Sequence, residues 1–324
     1  MYISKWRGRV CKYKDIKSIH ESFLWIHGQP AKYREIMGEA GSNQPGEVEK
    51  DETKIDQGIV GHGGHGHIGR ADGAIASVGY DGVEAPLPAP EDEQRFKELL
   101  ASHELDYVGM IFTEGPDHFA SFEAQLERAK SFGPNHVTAH SLKDYLPLEE
   151  QIDYFRRAVQ LEQQMGVKVG HETHRGRALF NPWDTGKVLN AVPGLGLTAD
   201  FSHWCCVTES TLEHLESELD LAIARSVHIH GRVGYAQGPQ VPDPRAPEYA
   251  HEVARHFDWW QRITEARQLA DATELTFTPE YGPPGYLHTL PFTNQPVTDL
   301  WQVCNWTVEQ YRENFECIQS VKAT

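Results

Sequence analysis

From about residue 55 onward, short β-branched or apolar runs alternate with charged stretches in which apolar positions recur at helical spacing. That rhythm predicts βα units feeding a parallel sheet. The runs fall at 55–60, 80–85, 106–112, 136–140, 167–172, 196–200, 226–230 and 275–280. Helices are expected at 91–102, 119–131, 148–165, 184–191, 211–224 and 247–270. In the stretch 211–224, Leu212, Leu215, Leu219 and Leu221 gather near one face, as packing against a barrel requires. Eight such strands predict an α/β fold, a (β/α)8 TIM barrel. The first strand is the weakest, because its neighbour HGGHGHIG carries no alternation.

Residues 1–54 read differently. GEAGSNQPGEVEKDETK is polar, charged and Gly-rich, the composition of a linker. A barrel of this class needs about 250 residues. The 324 residues therefore divide into a poorly ordered or irregular extension, 1–54, and a barrel, 55–324.

Charge narrows the partners. A formal net charge of -17 argues against nucleic acid and anionic membrane surfaces, whose binding needs clustered Lys and Arg. No segment reaches membrane-spanning or signal-peptide character. Cys11, Cys205, Cys206, Cys304 and Cys317 show no CxxC spacing, which fits a reduced, cytoplasmic setting. The acid excess also makes a divalent cation an easy guest wherever carboxylates converge.

They converge at the ends of the last four runs, HETHRGR, TADFSHW, VHIHGRV and TPEYGP, which present Glu172, Asp200, His230 and Glu280. In a barrel the C-terminal strand ends share one rim, where the chemistry sits. A single acid at a strand end is commonly a helix cap or an arginine partner. Four consecutive ends of this kind point instead to a metal site. Three carboxylates and one imidazole suit a hard or borderline ion, with Mn2+ favoured over Mg2+, Co2+ or Zn2+.

With these motifs in place, the chain from Tyr80 to its C-terminus resembles the sugar phosphate isomerase/epimerase superfamily of xylose isomerase-like TIM barrels. The resemblance rests on the Glu172 and Glu280 strand ends, the run Asp200-Phe201-Ser202-His203, and the triplet His228-Ile229-His230. It implies that Glu172, Asp200, His230 and Glu280 bind the metal and that His203 touches substrate. It also implies a cytoplasmic enzyme of carbohydrate metabolism with a small carbohydrate substrate, in a superfamily whose members often form homo-oligomers. Two departures stand out: Ala178 and Ala236 occupy places where the epimerases carry a Glu and an Arg, so the substrate contacts have changed.

The chemistry so implied is proton abstraction next to a carbonyl through a metal-stabilised enediolate, with Glu172 and Glu280 as the catalytic pair on opposite sides of the mouth. Because a metal-bound carboxylate is a weak base, His174 and His203 stay open as separate bases. His203, His174, Arg232, His140 and Glu114 are the candidate substrate contacts. Glu84, Glu114 and His140, at or just beyond the ends of the second, third and fourth runs, are rim candidates for sugar hydroxyls, with a helix cap or loop anchor an equal alternative. Arg175, Arg177 and Arg232 would serve an anionic or hydroxyl-rich substrate or, equally, neighbouring acids. His228 is expected to be a satisfied core histidine, and His62, His65 and His67 a flexible loop. Two alternatives remain: a lyase of the same fold, deglycosidase-like or dehydratase-like, and a non-catalytic sugar-binding barrel.

Overall fold

A computed structural model describes residues 10–12 and 80–322, apart from 271 and 273; for 10–12 and 315–322 only the backbone is described. The expected first strand at 55–60, the boundary at 54/55 and the histidines of HGGHGHIG lie outside the described residues.

Seven parallel strands alternate with helices: β2 (Gly82–Pro86), β3 (Asp106–Phe112), β4 (His136–His140), β5 (Val169–Glu172), β6 (Leu197–Ala199), β7 (Ser226–Gly231) and β8 (Thr276–Pro279). The place beside β2 is taken by β1 (Val10–Lys12), a parallel strand from the stretch expected as an extension. It pairs β2 through Val10 with Gly82 and lies close to β8, so that the sheet nearly closes. Three residues are too few for alternation to be read, which is why the sequence does not announce this strand.

The helices are α1 (Glu93–Ser102), α2 (His118–Lys130), α3 (Leu148–Met165), α4 (Pro182–Ala191), α5 (Ser202–Thr208), α6 (Glu216–Arg225), α7 (Ala250–Leu269) and α8 (Leu300–Lys322). Local chemistry fixes their ends. Asp117 accepts the backbone N–H groups of Phe119 and Ala120 at the start of α2. Asn181 caps α4 ahead of Pro182, and Gly166, at φ 66°, closes α3 in the left-handed conformation open to glycine. The expected single helix at 211–224 starts only at Glu216, because Leu212 sits at φ 62° and breaks the helical path. Leu212, Leu215 and Leu219 are still buried as expected. The last helix was not anticipated, although Val303, Cys304, Thr307, Val308 and Tyr311 form a helical stripe against the barrel wall.

Two surfaces of the strands do different work. Outward-facing Val137, Ala139, Leu197, Ile229 and Phe277 are buried on the helix side; Phe277 stacks on Tyr311 of α8, with ring centroids 4.1 Å apart. Burying such a side chain contributes about 1.5–3 kcal/mol. The opposite parity is polar: Glu84, His136, Thr138, Thr198, His228 and Thr278 are all buried within the barrel. This inner column is bound together, with Thr138 Oγ1 3.3 Å from Thr198 Oγ1 and Thr278 Oγ1 3.2 Å from His228 Nε2.

Candidate metal centre

The same parity carries the column up to the rim. Two residues beyond Thr138, Thr198, His228 and Thr278 stand His140, Asp200, His230 and Glu280, and two beyond Gly170 stands Glu172. Glu172, Asp200, His230 and Glu280 each offer a donor atom, and these atoms all lie within 4.8 Å of one another. All four residues are buried.

The two glutamates do not stay on opposite sides of the mouth. Their side chains converge on one nitrogen: His230 Nδ1 lies 3.0 Å from Glu172 Oε1 and 3.0 Å from Glu280 Oε2. Glu172 Oε2 is also 2.5 Å from His140 Nε2. Asp200 accepts from the Ser202 backbone N–H and hydroxyl, while its own N–H donates to Thr173 Oγ1 at 2.8 Å. Gly234 permits the adjacent loop to pass, since a Cβ there would lie 2.6 Å from Ser202 O.

Arg232 enters this cluster. Its Nη2 donates to Asp200 Oδ2 at 2.6 Å and lies 3.1 Å from Glu280 Oε1. The guanidinium also sits 4.5 Å from the ring centroid of Tyr286, whose hydroxyl is 3.3 Å from His174 Nε2. His203 Nε2 is 3.3 Å from Arg232 Nη2, and the His203 and His174 rings are 4.0 Å apart. Arg175 faces Tyr286 from its other neighbour loop at 5.2 Å. Arg177 instead donates to the carbonyls of Thr113 and Leu142 and anchors loops. Glu114 is exposed in the loop after β3, outside the cluster.

Burial dominates the electrostatics. It raises the Asp200 carboxyl against the pull of Arg232. Burial alone would lower the Arg232 guanidinium, but Asp200 and Glu280 outweigh it and keep the group charged. His174 and His203 are pushed well below the usual imidazole range by burial, so both are neutral near pH 7. Among the described residues, His203 Nδ1 and Arg232 Nη1 are buried without a hydrogen-bond partner in the protein.

The donor set fits a divalent ion. Three carboxylates against one guanidinium leave a buried negative excess, which costs heavily unless a cation or protons offset it. Donors held about 2.1 Å from a shared ion lie at most about 4.2 Å apart, so the four side chains would draw together to coordinate one.

A sequence model of the xylose isomerase-like TIM barrel matches residues 73–252, more than half of the chain. The chain belongs to the xylose isomerase-like TIM barrel family. Among solved structures, this xylose isomerase-like barrel is similar to a TIM barrel protein of that type from Mycobacterium smegmatis in complex with magnesium, at 14% identity and TM-score 0.52, covering 76% of this chain and 87% of that one. A D-tagatose 3-epimerase-like protein matches at 14% identity and TM-score 0.51, with 78% and 94% covered. A probable 3-DHS dehydratase from Bacillus anthracis matches at 12% identity and TM-score 0.46, with 78% and 94% covered. At such identities the likeness is one of fold. A search of curated proteins finds no match.

One residue of this xylose isomerase-like barrel stands elsewhere than its sequence suggests. Glu84, expected at the rim, lies inside the barrel below the four donors, against His228 and His230. Its signal is an acid in the middle of a strand buried on both faces, which must find partners. His228 is the satisfied core histidine expected: its Nδ1–H donates to Thr276 O at 2.9 Å.

Proposed function

We propose that this chain is a divalent-metal-dependent isomerase or epimerase that moves a proton next to the carbonyl of a sugar or sugar derivative. The observation that carries it is the convergence of Glu172, Asp200, His230 and Glu280 donors within 4.8 Å of one another at the rim of the barrel. These four would hold the ion, with Mn2+ the favoured occupant for three carboxylates and one imidazole. When bound, the cation polarises the carbonyl and stabilises charge developing on neighbouring oxygens.

The protein's own groups supply the rest. Glu172, at the end of β5, and Glu280, just beyond β8, would be the pair that takes and returns the proton, converging on it from neighbouring positions at the rim. Arg232 Nη1 and His203 Nδ1, buried without protein partners, support a role for these two side chains in meeting a substrate's polar groups. His174 and His140 extend that polar wall. Glu114, exposed in the loop after β3, remains a candidate contact of the same kind.

A lyase is the second choice, and Tyr286 favours it. Its hydroxyl, hydrogen-bonded to His174, brings an O–H donor beside the glutamates that would protonate a departing oxygen.

The deciding experiment is metal analysis of the purified protein, then a screen of ketoses, aldoses and oxidised glycosides in deuterated water. Metal-dependent deuterium incorporation without fragmentation of the substrate supports the isomerase, and release of a fragment supports the lyase. No exchange with any of them in the metal-loaded protein overturns both.

A further inference from the structure

Glu84 sits on β2, across the barrel from β7, with a side chain that solvent does not reach. Both its oxygens face His230 Nε2, at 2.9 and 3.1 Å. The other nitrogen of the same ring, Nδ1, faces Glu172 and Glu280 at 3.0 Å. Glu84 Oε2 is also 3.2 Å from His228 Nε2, and the His228 ring is held from its far side by Thr276.

An imidazole can ligate a cation only through a nitrogen that carries no proton, so the ring proton must sit on the other one. A carboxylate accepts hydrogen bonds and donates none. Carboxylates face both ring nitrogens, so with a cation among those on the Nδ1 side the ring proton goes to Nε2, where Glu84 accepts it and the Nδ1 lone pair is left for the ion. The same hydrogen bond fixes the plane of the ring and makes the ligating nitrogen more basic. Packing alone would not require this. An apolar residue would fill the space beneath the ring, yet could not choose between the tautomers.

We infer that Glu84 is a positioning residue for the proposed metal centre, accepting the His230 Nε2–H so that Nδ1 is presented to the cation. This rests on the metal-dependent function proposed above. Glu84 is not one of the four donors, although with His228 and His230 it forms a second cluster of potential metal ligands on the other side of the same ring.

The test uses the full chain stripped of metal and titrated calorimetrically with Mn2+, as wild type, Glu84→Gln, Glu84→Ala and Glu280→Gln. Loss of an outer-shell partner of a ligating histidine weakens metal affinity by about 10–100-fold. That loss is expected for Glu84→Ala, with folding confirmed by circular dichroism and an unfolding midpoint. Glu84→Gln keeps the shape and an accepting oxygen, so it is expected to bind Mn2+ more tightly than Glu84→Ala.

Wild-type affinity in Glu84→Ala overturns the positioning role while leaving the proposed function standing, because Mn2+ is still bound. Equal losses in the Gln and Ala variants also overturn it, since the accepting oxygen would then be irrelevant. If the wild type binds neither Mn2+ nor Mg2+, Co2+ or Zn2+, the proposed function fails and this inference falls with it. Glu280→Gln, which alters a direct donor, calibrates the scale of a lost ligand.

Discussion

Arg232 holds Asp200 through a 2.6 Å ion pair inside the four-donor cluster, with side-chain exposures of 1% and 0%. Solvent does not screen such a pair, and its guanidinium also reaches Glu280 at 3.1 Å. With a cation bound among these donors, Arg232 would share with it the task of offsetting buried carboxylate charge.

Removing that guanidinium should expose the division of labour. Arg232→Ala is expected to destabilise the metal-free protein by about 3–5 kcal/mol, the usual cost of orphaning a buried charge. With saturating Mn2+ the loss should shrink. Urea unfolding with chelator and with Mn2+ measures the difference; identical losses would separate Arg232 from the metal centre.

Glu172→Gln and Glu280→Gln keep size and remove the base. Each is expected to lower the rate of substrate deuterium exchange by at least about 100-fold, the scale of lost general acid–base catalysis. Circular dichroism should show an intact fold. Exchange at wild-type rate in either variant would remove that glutamate from the proton path.

His203→Gln addresses binding. Loss of one substrate hydrogen bond of about 1.4 kcal/mol corresponds to a tenfold rise in KM, with metal content unchanged by elemental analysis. A fall in metal content instead would make His203 a ligand.

His256 offers a pH test away from the cluster. It is buried, its Nε2 accepts from the Gly234 N–H at 3.1 Å, and its Nδ1–H donates to Glu252 O at 2.8 Å. Burial lowers its pKa to about 4, whereas an unfolded chain titrates near 6.5. Between those values the unfolded state binds a proton that the folded state does not. Its contribution to stability is complete above about pH 6.5 and declines as pH falls toward 4, by up to about 3 kcal/mol. Urea midpoints across this window should fall less steeply for His256→Gln than for wild type.

Strand and helix patterning was legible where the elements are long. Residues 106–112, 136–140 and 148–165 form β3, β4 and α3 with the bounds expected of them. Tyr154, Phe155, Ala158 and Val159 explain why: their repeat admits one buried helical face. The three-residue β1 and the left-handed Leu212 were illegible, because neither leaves a periodic trace. The α8 stripe had such a trace, and no strand beyond β8 to draw attention to it.

Sequence alone determined that acid or imidazole stands at the end of each of the last four strands, since a period of two and the strand ends are local properties. Which of those atoms meet depended on the curvature of the barrel. Only closure brought Glu84 from β2 beneath His230 of β7, placed Arg232 between Asp200 and Glu280, and left Glu114 in solvent. Contacts between residues 146 positions apart are set by how strands tilt and wrap, and no local pattern of side chains encodes that geometry.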